Sequence, residues 1–320
     1  MHRRTPHTTR ATLSAAAMAL LLALSACGTS STEGPPPQSA SPAPTATEAT
    51  PTRAAVDAAA VAASITALEQ EYGARVGVHA VDTGDRRTVS HRADERFEFA
   101  SSIKAFLAAA LLATASDAER ATTVRWSEQD VQGAGYSPVT SERVGTGMTL
   151  DELAEASVRQ SDNTATNLVF ASLGGPHAFE GFLAEHGDDV TSSARTEPGL
   201  NDVTAGDDRD TTTPRAFAAD LETFLLGDGL APADQQTLLE WMSGNATGDA
   251  LIRAGAPAGW AVADKSGGAG PIRNDVAVVH PPGRSPIVVA VLTTRLDPET
   301  DYDDALVARA ASVVLSALAN

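Results

Sequence analysis

The chain has 320 residues, enough to bury a sizeable core in one large domain or two small ones. Its 41 acidic residues outnumber its 23 basic ones, and the net charge of −18 argues against a nucleic-acid binder, which must neutralise phosphates with a basic face. The single cysteine, Cys27, rules out an internal disulfide and a cysteine-based metal site, and the seven histidines show no metal-site spacing.

The N-terminal segment is typical of a bacterial export signal. Three arginines precede an apolar stretch, 13–26, that is shorter than the ~20 residues a membrane-spanning helix needs. The stretch ends in Leu-Ser-Ala-Cys-Gly, which resembles a lipobox, in which the cysteine is lipidated and becomes the new N-terminus. We expect residues 1–26 to be a lipoprotein signal peptide and Cys27 to carry the lipid. The alternative is an ordinary cleaved signal with an incidental cysteine.

Residues 27–53 are rich in Ser, Thr, Pro and Ala and predict an extended linker, after which a folded domain covers 54–320. The predicted elements are, in chain order, a helix at 54–71, strands at 75–81 and around Thr88, strands at 276–279 and 287–292, and a helix at about 303–318.

These elements predict a fold in two parts. Strands occur at both ends of the domain, about 54–96 and 246–320, whereas the middle, about 97–245, is mostly helical with long polar loops. We therefore expect an α/β (α+β) fold, with an antiparallel sheet flanked by terminal helices and an inserted all-helical subdomain. A cleft between the two parts is the default position for an active site.

Two lysines stand out among the basic residues, because the other 21 are all arginine. A partly buried lysine can lose its proton, whereas arginine keeps its own. Lys104 follows Ser101 by three residues at the start of an apolar helix predicted over 105–113, so the two side chains share a helix face. A lysine of lowered pKa can activate a serine as a nucleophile. Alone the pattern is weak, since Ser101 could be a helix cap and Lys104 a surface residue.

Two further motifs change that interpretation. Ser161–Asn163, with the sequence Ser-Asp-Asn, follows a helix predicted to end near Gln160, and Lys265–Gly267, Lys-Ser-Gly, precedes a predicted strand. S-x-x-K, S-D-N and K-[ST]-G in this order are the signature of class A β-lactamases and penicillin-binding proteins. Together they use both lysines of the chain. The chain therefore resembles the class A serine β-lactamases over 54–320.

A fourth element separates these two groups of proteins. Residues 195–201 resemble the E-x-x-L-N pattern of the β-lactamase Ω-loop, and penicillin-binding proteins generally lack its acid. The resemblance implies that an ion pair between Arg195 and Asp210 clamps the loop. It also implies that Glu197 is the general base that activates water against the acyl-enzyme ester, with Asn201 holding that water from the other side.

The resemblance implies roles for the remaining motif residues. Ser101 would attack the lactam carbonyl and pass its proton to Lys104, or through a water to Glu197, while Ser161 would relay a proton to the departing nitrogen. The resemblance also implies the substrate contacts. Tyr136 would form a wall of the cleft, Asn163 would bind the side-chain amide of the β-lactam, and the N–H groups of Ser101 and Gly268 would bind the oxyanion. The substrate carboxylate would be bound by Lys265, Ser266 and either Arg253 or Arg273.

The resemblance leaves one of these contacts open, and the sequence departs from the family pattern near another. Arg253 resembles the arginine that actinobacterial members use for the carboxylate, so the choice between it and Arg273 stays open. The stretch after Gly267 is one residue shorter than usual, which bears on substrate range rather than on the chemistry.

The implied function is hydrolysis of the β-lactam amide bond through a serine acyl-enzyme, with resistance to β-lactam antibiotics as its result. No cofactor or metal is implied. The protein is expected to be a monomer outside the cytoplasm, anchored through Cys27 or partly secreted. Two alternatives remain: a D-Ala-D-Ala peptidase or penicillin-binding protein that uses the same serine, against which Glu197 argues, and a tethered sensor that is acylated without hydrolysis.

Overall fold

The structure is a computed structural model that describes residues 34, 55–202, 204 and 206–319. The predicted signal peptide and Cys27 lie outside the described residues, as does nearly all of the predicted linker. From residue 55 onward the described chain belongs to one compact unit. In these ranges no helix has both the length and the apolar character needed to cross a bilayer.

A five-stranded antiparallel sheet forms the centre of the domain. Its strands are β1 (Ala74–Asp82), β2 (Thr88–His91), β7 (Ala261–Ala269), β8 (Ile272–His280) and β9 (Ile287–Arg295). The other strands of the described residues are β3 (Phe97–Glu98), β4 (Thr123–Val124), β5 (Met148–Thr149) and β6 (Thr211–Thr212). The order in the large sheet is β2-β1-β9-β8-β7, so β7 is an edge strand, with Lys265 opposite Val276 of β8.

Helices cover both faces of this sheet. They are α1 (Ala58–Tyr72), α2 (Lys104–Thr114), α3 (Asp117–Arg120), α4 (Glu128–Ala134), α5 (Leu150–Arg159), α6 (Asn163–Ser172), α7 (Pro176–Glu185), α8 (Pro214–Leu225), α9 (Pro232–Ser243), α10 (Ile252–Gly255) and α11 (Asp304–Ala319). Because strand residues alternate between faces, Val276 and Val278 of β8 pack into the core of the helical part, whereas Ala277 and Val279 pack against α1 and α11. Residues 287–292 of β9 are all apolar and fully buried because both faces of the sheet are covered.

The predicted fold class is confirmed, with two differences in detail. The first helix begins at Ala58 instead of 54, because the Asp57 side chain accepts the N–H of Ala60 and caps it. The inserted part is not purely helical, since β3 pairs with β6 and β4 with β5. These ladders are two residues long, too short for an alternating pattern to show in the sequence.

Helix α2 lies in the middle of the helical core. Its residues from Lys104 to Leu112 are all buried, as expected of a helix that is apolar on every side. The turn that leads into α2 packs against β7 and β8, so the first residue of the helix, Lys104, lies in the interior near these strands.

Candidate active site

Ser101 lies in a 3-10 turn, Ala100–Ile103, that runs directly into α2. Ala100 adopts a left-handed conformation, with φ of +45°, which costs a residue with a Cβ about 1–2 kcal/mol. Such strain persists only where the surrounding structure holds it, and it is concentrated at functional sites. Ser101 is partly exposed, while Lys104 is fully buried.

Lys104 is surrounded by acceptors. Its Nζ lies 2.9 Å from Oε1 of Glu197, 2.7 Å from Oδ1 of Asn163 and 2.9 Å from the carbonyl oxygen of Ser161. Burial lowers the pKa of this lysine, and the neighbouring Glu197 carboxylate opposes that shift. The amine is therefore placed to give up and regain a proton in a site shielded from water.

Glu197 joins Ser101 to Lys104. Its Oε1, already paired with Lys104, also accepts a hydrogen bond from Ser101 Oγ at 3.3 Å. Its Oε2 accepts one from Nδ2 of Asn201 at 2.6 Å. The Oδ1 of Asn201 is buried and accepts no hydrogen bond from the described protein. Ser101 and Lys104, two of the three residues predicted to form the centre of the site, thus both contact one carboxylate oxygen of the third, Glu197.

The loop that carries Glu197 is tied at its base. Arg195 Nε pairs with Oδ2 of Asp210, and Oδ1 of Asp210 accepts the N–H groups of Ala194 and Arg195 at 2.9 and 3.0 Å. Asp210 is buried, and an ion pair that is also hydrogen-bonded to the backbone resists opening. The two residues predicted to clamp this loop do form the ion pair.

Asn167 is a contributor that the sequence analysis missed. Its Nδ2 donates to the carbonyl of Glu197 and its Oδ1 accepts the N–H of Glu197, both at 2.8 Å. The amide thus fixes the backbone of Glu197 from α6. One signal was present in the sequence: Asn167 follows Asn163 by four residues, so both lie on one face of that helix.

Ser161 lies between the two lysines. Its Oγ is 3.4 Å from Nζ of Lys104 and 3.2 Å from Nζ of Lys265. The residue adopts φ of +56°, and the next residue, Asp162, caps α6 and accepts the N–H groups of Val139 and Thr140 at 2.9 Å. These bonds connect the strained Ser161 to the loop that carries Tyr136.

Lys265 extends from the edge strand β7 into the same interior. It is fully buried, and its Nζ donates to the carbonyl of Ser266 at 2.6 Å. Burial, together with the nearby charge of Lys104, lowers the pKa of Lys265 to about 7. The Oγ of Ser266 is 2.6 Å from the Oγ1 of Thr247, which gives that hydroxyl a fixed partner.

The rim of the site holds the other predicted residues. Tyr136 is 58% exposed, and its carbonyl accepts the N–H of Asn163 at 2.8 Å. The side-chain amide of Asn163 donates to the carbonyl of Ala134 at 2.9 Å, while its oxygen accepts from Lys104. Asn163 therefore spans the distance between the rim and the buried lysine.

The structure separates the two candidate arginines. Arg273 is opposite Gly268 on β8, pairs with Asp304 at 2.7 Å, and lies over the Tyr302 ring, 4.7 Å from its centroid. The guanidinium of Arg253 pairs instead with Asp249 and with the fully buried Asp264. Arg273 thus borders the strand that carries Gly268, whereas Arg253 neutralises an interior carboxylate.

Comparisons with known proteins identify the family of the chain. The Beta-lactamase enzyme family matches residues 60–318. A β-lactamase of Amycolatopsis lactamdurans is 49% identical over 260 residues, which cover 81% of this chain and 85% of that protein. One from Bacillus subtilis (strain 168) is 48% identical over 252 residues, 78% of this chain and 82% of its own.

Solved structures extend the likeness to the fold. The crystal structure of the class A β-lactamase from Clostridium kluyveri DSM 555 matches with a TM-score of 0.80 and 41% identity, covering 82% of this chain and 100% of that one. The peptidase and sensor alternatives gain no support from these relatives. The chain belongs to the β-lactamase enzyme family and is a class A serine β-lactamase, a hydrolase that opens β-lactams.

Proposed function

We propose that Ser101 is the nucleophile of this hydrolysis and that Lys104 and Glu197 manage its proton. The observation that carries the proposal is the position of Glu197 Oε1, 3.3 Å from the Ser101 hydroxyl and 2.9 Å from the Lys104 amine. A serine hydroxyl becomes a strong nucleophile when an adjacent base takes its proton. The proton leaves for Lys104, or for Glu197 through a water.

Acylation then forms a bond between Ser101 Oγ and the lactam carbonyl carbon, and the ring C–N bond breaks. The N–H groups of Ser101 and Gly268 stabilise the oxyanion, each contributing about 3–4 kcal/mol. The packing of β7 on the turn supports this pairing, because a Cβ built on Gly267 would lie only 3.2 Å from the backbone nitrogen of Ser101.

The departing ring nitrogen needs a proton, and Ser161 is proposed to deliver it. Its hydroxyl lies within 3.4 Å of the Lys104 amine and 3.2 Å of the Lys265 amine. The proton taken from Ser101 can thus pass from Lys104 to Ser161 and on to the nitrogen, while Lys265 holds the hydroxyl in place.

Deacylation is assigned to Glu197 acting on a water. One carboxylate oxygen contacts Ser101, and the other accepts a hydrogen bond from Asn201. Glu197 takes a proton from the water, the oxygen of the water bonds to the ester carbonyl carbon, the bond between that carbon and Ser101 Oγ breaks, and Ser101 Oγ takes the proton back.

The substrate carboxylate is assigned to Lys265, Ser266 and Arg273. A carboxylate is recognised well by a guanidinium that is already oriented, and Arg273 is held by Asp304 and Tyr302 beside Gly268. Arg253 is left out because it pairs with two carboxylates, one of them the fully buried Asp264, whereas Arg273 pairs with one partly exposed carboxylate and lies opposite Gly268.

The setting of the enzyme is also a proposal. The lipobox-like sequence supports anchoring outside the cytoplasm through Cys27, where hydrolysis would protect the cell from β-lactam antibiotics. Expression of the full chain and of Cys27→Ala, followed by detergent-phase partition, tests the anchor. Retention of the Cys27→Ala protein in the detergent phase would contradict it.

Intact-mass measurement after mixing with benzylpenicillin tests the catalytic assignment. We expect the parent protein to return to its free mass, Glu197→Ala to keep one penicilloyl adduct, and Ser101→Ala to form none. Full turnover by Glu197→Ala would disprove the proposed water activation. An adduct on Ser101→Ala would disprove the assignment of the nucleophile.

A further inference from the structure

Asn274 is a buried amide that the steps above do not use. It lies on β8 next to Arg273, with Gly267 of β7 and Leu292 of β9 as its cross-strand neighbours. Its side chain is fully buried. A buried amide is costly unless its donors and its acceptor are satisfied, so its partners indicate what it does.

Those partners are all backbone groups. Nδ2 donates to the carbonyl of Glu98 at 2.8 Å and to the carbonyl of Phe99 at 3.0 Å, and Oδ1 accepts the N–H of Thr293 at 2.9 Å. The opposite orientation of the amide would place its oxygen against two carbonyls, so the network fixes the assignment. Asn274 therefore ties the central sheet to two consecutive peptide groups.

The tied peptides come directly before the strained turn. Phe99 is followed by Ala100, with its φ of +45°, and then by Ser101. The same Phe99 carbonyl accepts the hydroxyl of Ser102 at 2.6 Å and its N–H at 3.2 Å. Asn274 thus holds the entry to the turn from the sheet, while Ser102 holds it from within the turn.

Gly267 makes this contact possible. A Cβ at this position would lie 2.8 Å from both the Phe99 carbonyl oxygen and the Ser102 nitrogen, which are backbone atoms and cannot move aside cheaply. Residues directly opposite on antiparallel strands project to the same face. Because Gly267 has no side chain, the neighbouring Asn274 reaches past it to the turn.

We propose that Asn274 is a positioning residue for acylation, which orients the Ser101 hydroxyl and backbone N–H through the carbonyls of Glu98 and Phe99. The inference rests on the proposed role of Ser101 as nucleophile. Misplacement of a reacting group by about 1 Å can cost about 100-fold in rate, so loss of these two hydrogen bonds acts on catalysis beyond its effect on stability.

The test compares Asn274→Asp, which keeps the shape and removes both donors, with Val279→Ala, a core truncation on the same strand that faces α1 and α11. We expect the single-turnover acylation rate with benzylpenicillin to fall about 10- to 100-fold in Asn274→Asp and to stay within about twofold of the parent in Val279→Ala. If Asn274→Asp does not fold, Asn274→Ser replaces it in the same comparison, because serine has a single donor on a shorter side chain. Equal acylation rates in Asn274→Asp and the parent would overturn the inference.

A spectroscopic measurement separates this inference from the proposed function. In the Glu197→Ala background, the infrared stretch of the acyl-enzyme carbonyl reports its hydrogen bonds in the oxyanion site. We expect a shift to higher frequency when Asn274→Asp is added and none with Val279→Ala. If the Asn274→Asp protein forms an adduct with an unshifted band, the role of Asn274 is refuted and the proposed function stands. If the Glu197→Ala protein forms no adduct, the proposed function itself is refuted.

Discussion

The floor and the rim of this active site are built differently. On the floor, Lys104 and Lys265 are fully buried, and each amine has at least two hydrogen-bond partners within the protein. On the rim, Tyr136 is 58% and Tyr302 40% exposed. A buried charge must be paired and hydrogen-bonded, so the floor has essentially one arrangement, whereas rim side chains interact in water and contribute less each.

This difference implies that the floor and the rim affect different steps of the reaction. Changes on the floor should act on the chemical steps, and changes on the rim should act on substrate binding. The four predictions below test that division, from the largest expected effect to the smallest.

The two lysines provide the sharpest test of the floor. We expect Lys104→Arg to lower kcat/KM by about 10²- to 10⁴-fold, because arginine keeps its proton and cannot serve as a base. Lys265→Arg should cost far less, because the proposed roles there, binding the substrate carboxylate and holding the Ser161 hydroxyl, need a cationic donor, which arginine also is. Both lysines are fully buried, so the two variants carry a comparable steric burden. Similar losses in both, measured by steady-state kinetics, would contradict the separate roles.

The two arginines test the assignment of the substrate carboxylate. Loss of a hydrogen bond to a charged group costs about 1.5–3 kcal/mol, so Arg273→Ala should raise KM about 10- to 100-fold with little change in thermal unfolding. Arg253→Ala should instead lower the free energy of unfolding by about 3–5 kcal/mol, because it leaves the carboxylate of Asp264 buried without its partner. A raised KM in Arg253→Ala alone would reverse the assignment.

The pH dependence of binding tests Lys265 directly. With its pKa lowered to about 7, Lys265 is a cation below that pH and loses its charge above it. Attraction to a substrate carboxylate is therefore lost as the pH rises, and 1/KM for benzylpenicillin should fall by up to about tenfold per unit above the pKa. In Lys265→Arg this fall should disappear, since arginine stays protonated. Parallel profiles for the two proteins would show that another group titrates.

Tyr302 tests the rim with the smallest expected change. A cation–π contact at an exposed site is worth about 0.5–1 kcal/mol, so Tyr302→Ala should raise KM about two- to fivefold through a less well held Arg273. Tyr302→Phe keeps the ring and should match the parent. In the Arg273→Ala background, Tyr302→Ala should add nothing; a further rise in KM would mean that the ring contacts the substrate itself.

Much of the fold and of the floor was predictable from the sequence. An alternating strand near the start of the domain, continuous apolar strands near its end and a helical middle predict a covered antiparallel sheet with an insertion, and the structure has this arrangement. Ser101 and Lys104 were recognisable because their spacing, which is weak alone, occurs together with two further motifs that use both lysines of the chain. The two-residue ladders were missed because they are too short to show an alternating pattern. Asn167 was missed because its partner, Glu197, is 30 positions away, and only its spacing from Asn163 hinted at it.

The sequence by itself determined which groups can do chemistry here: one serine beside one of two lysines, and an acid in a loop whose ends carry opposite charges. The tertiary structure alone decided how these groups meet. Ser161 lies between both lysines, Arg273 rather than Arg253 borders Gly268, and Asn274 reaches the nucleophile turn past Gly267. Ser161 and Asn274 contact residues 57 to 176 positions away, and Arg273 and Gly268 are neighbours because β7 pairs with β8. These contacts follow from how the sheet is paired and packed against the helices, which no local spacing encodes.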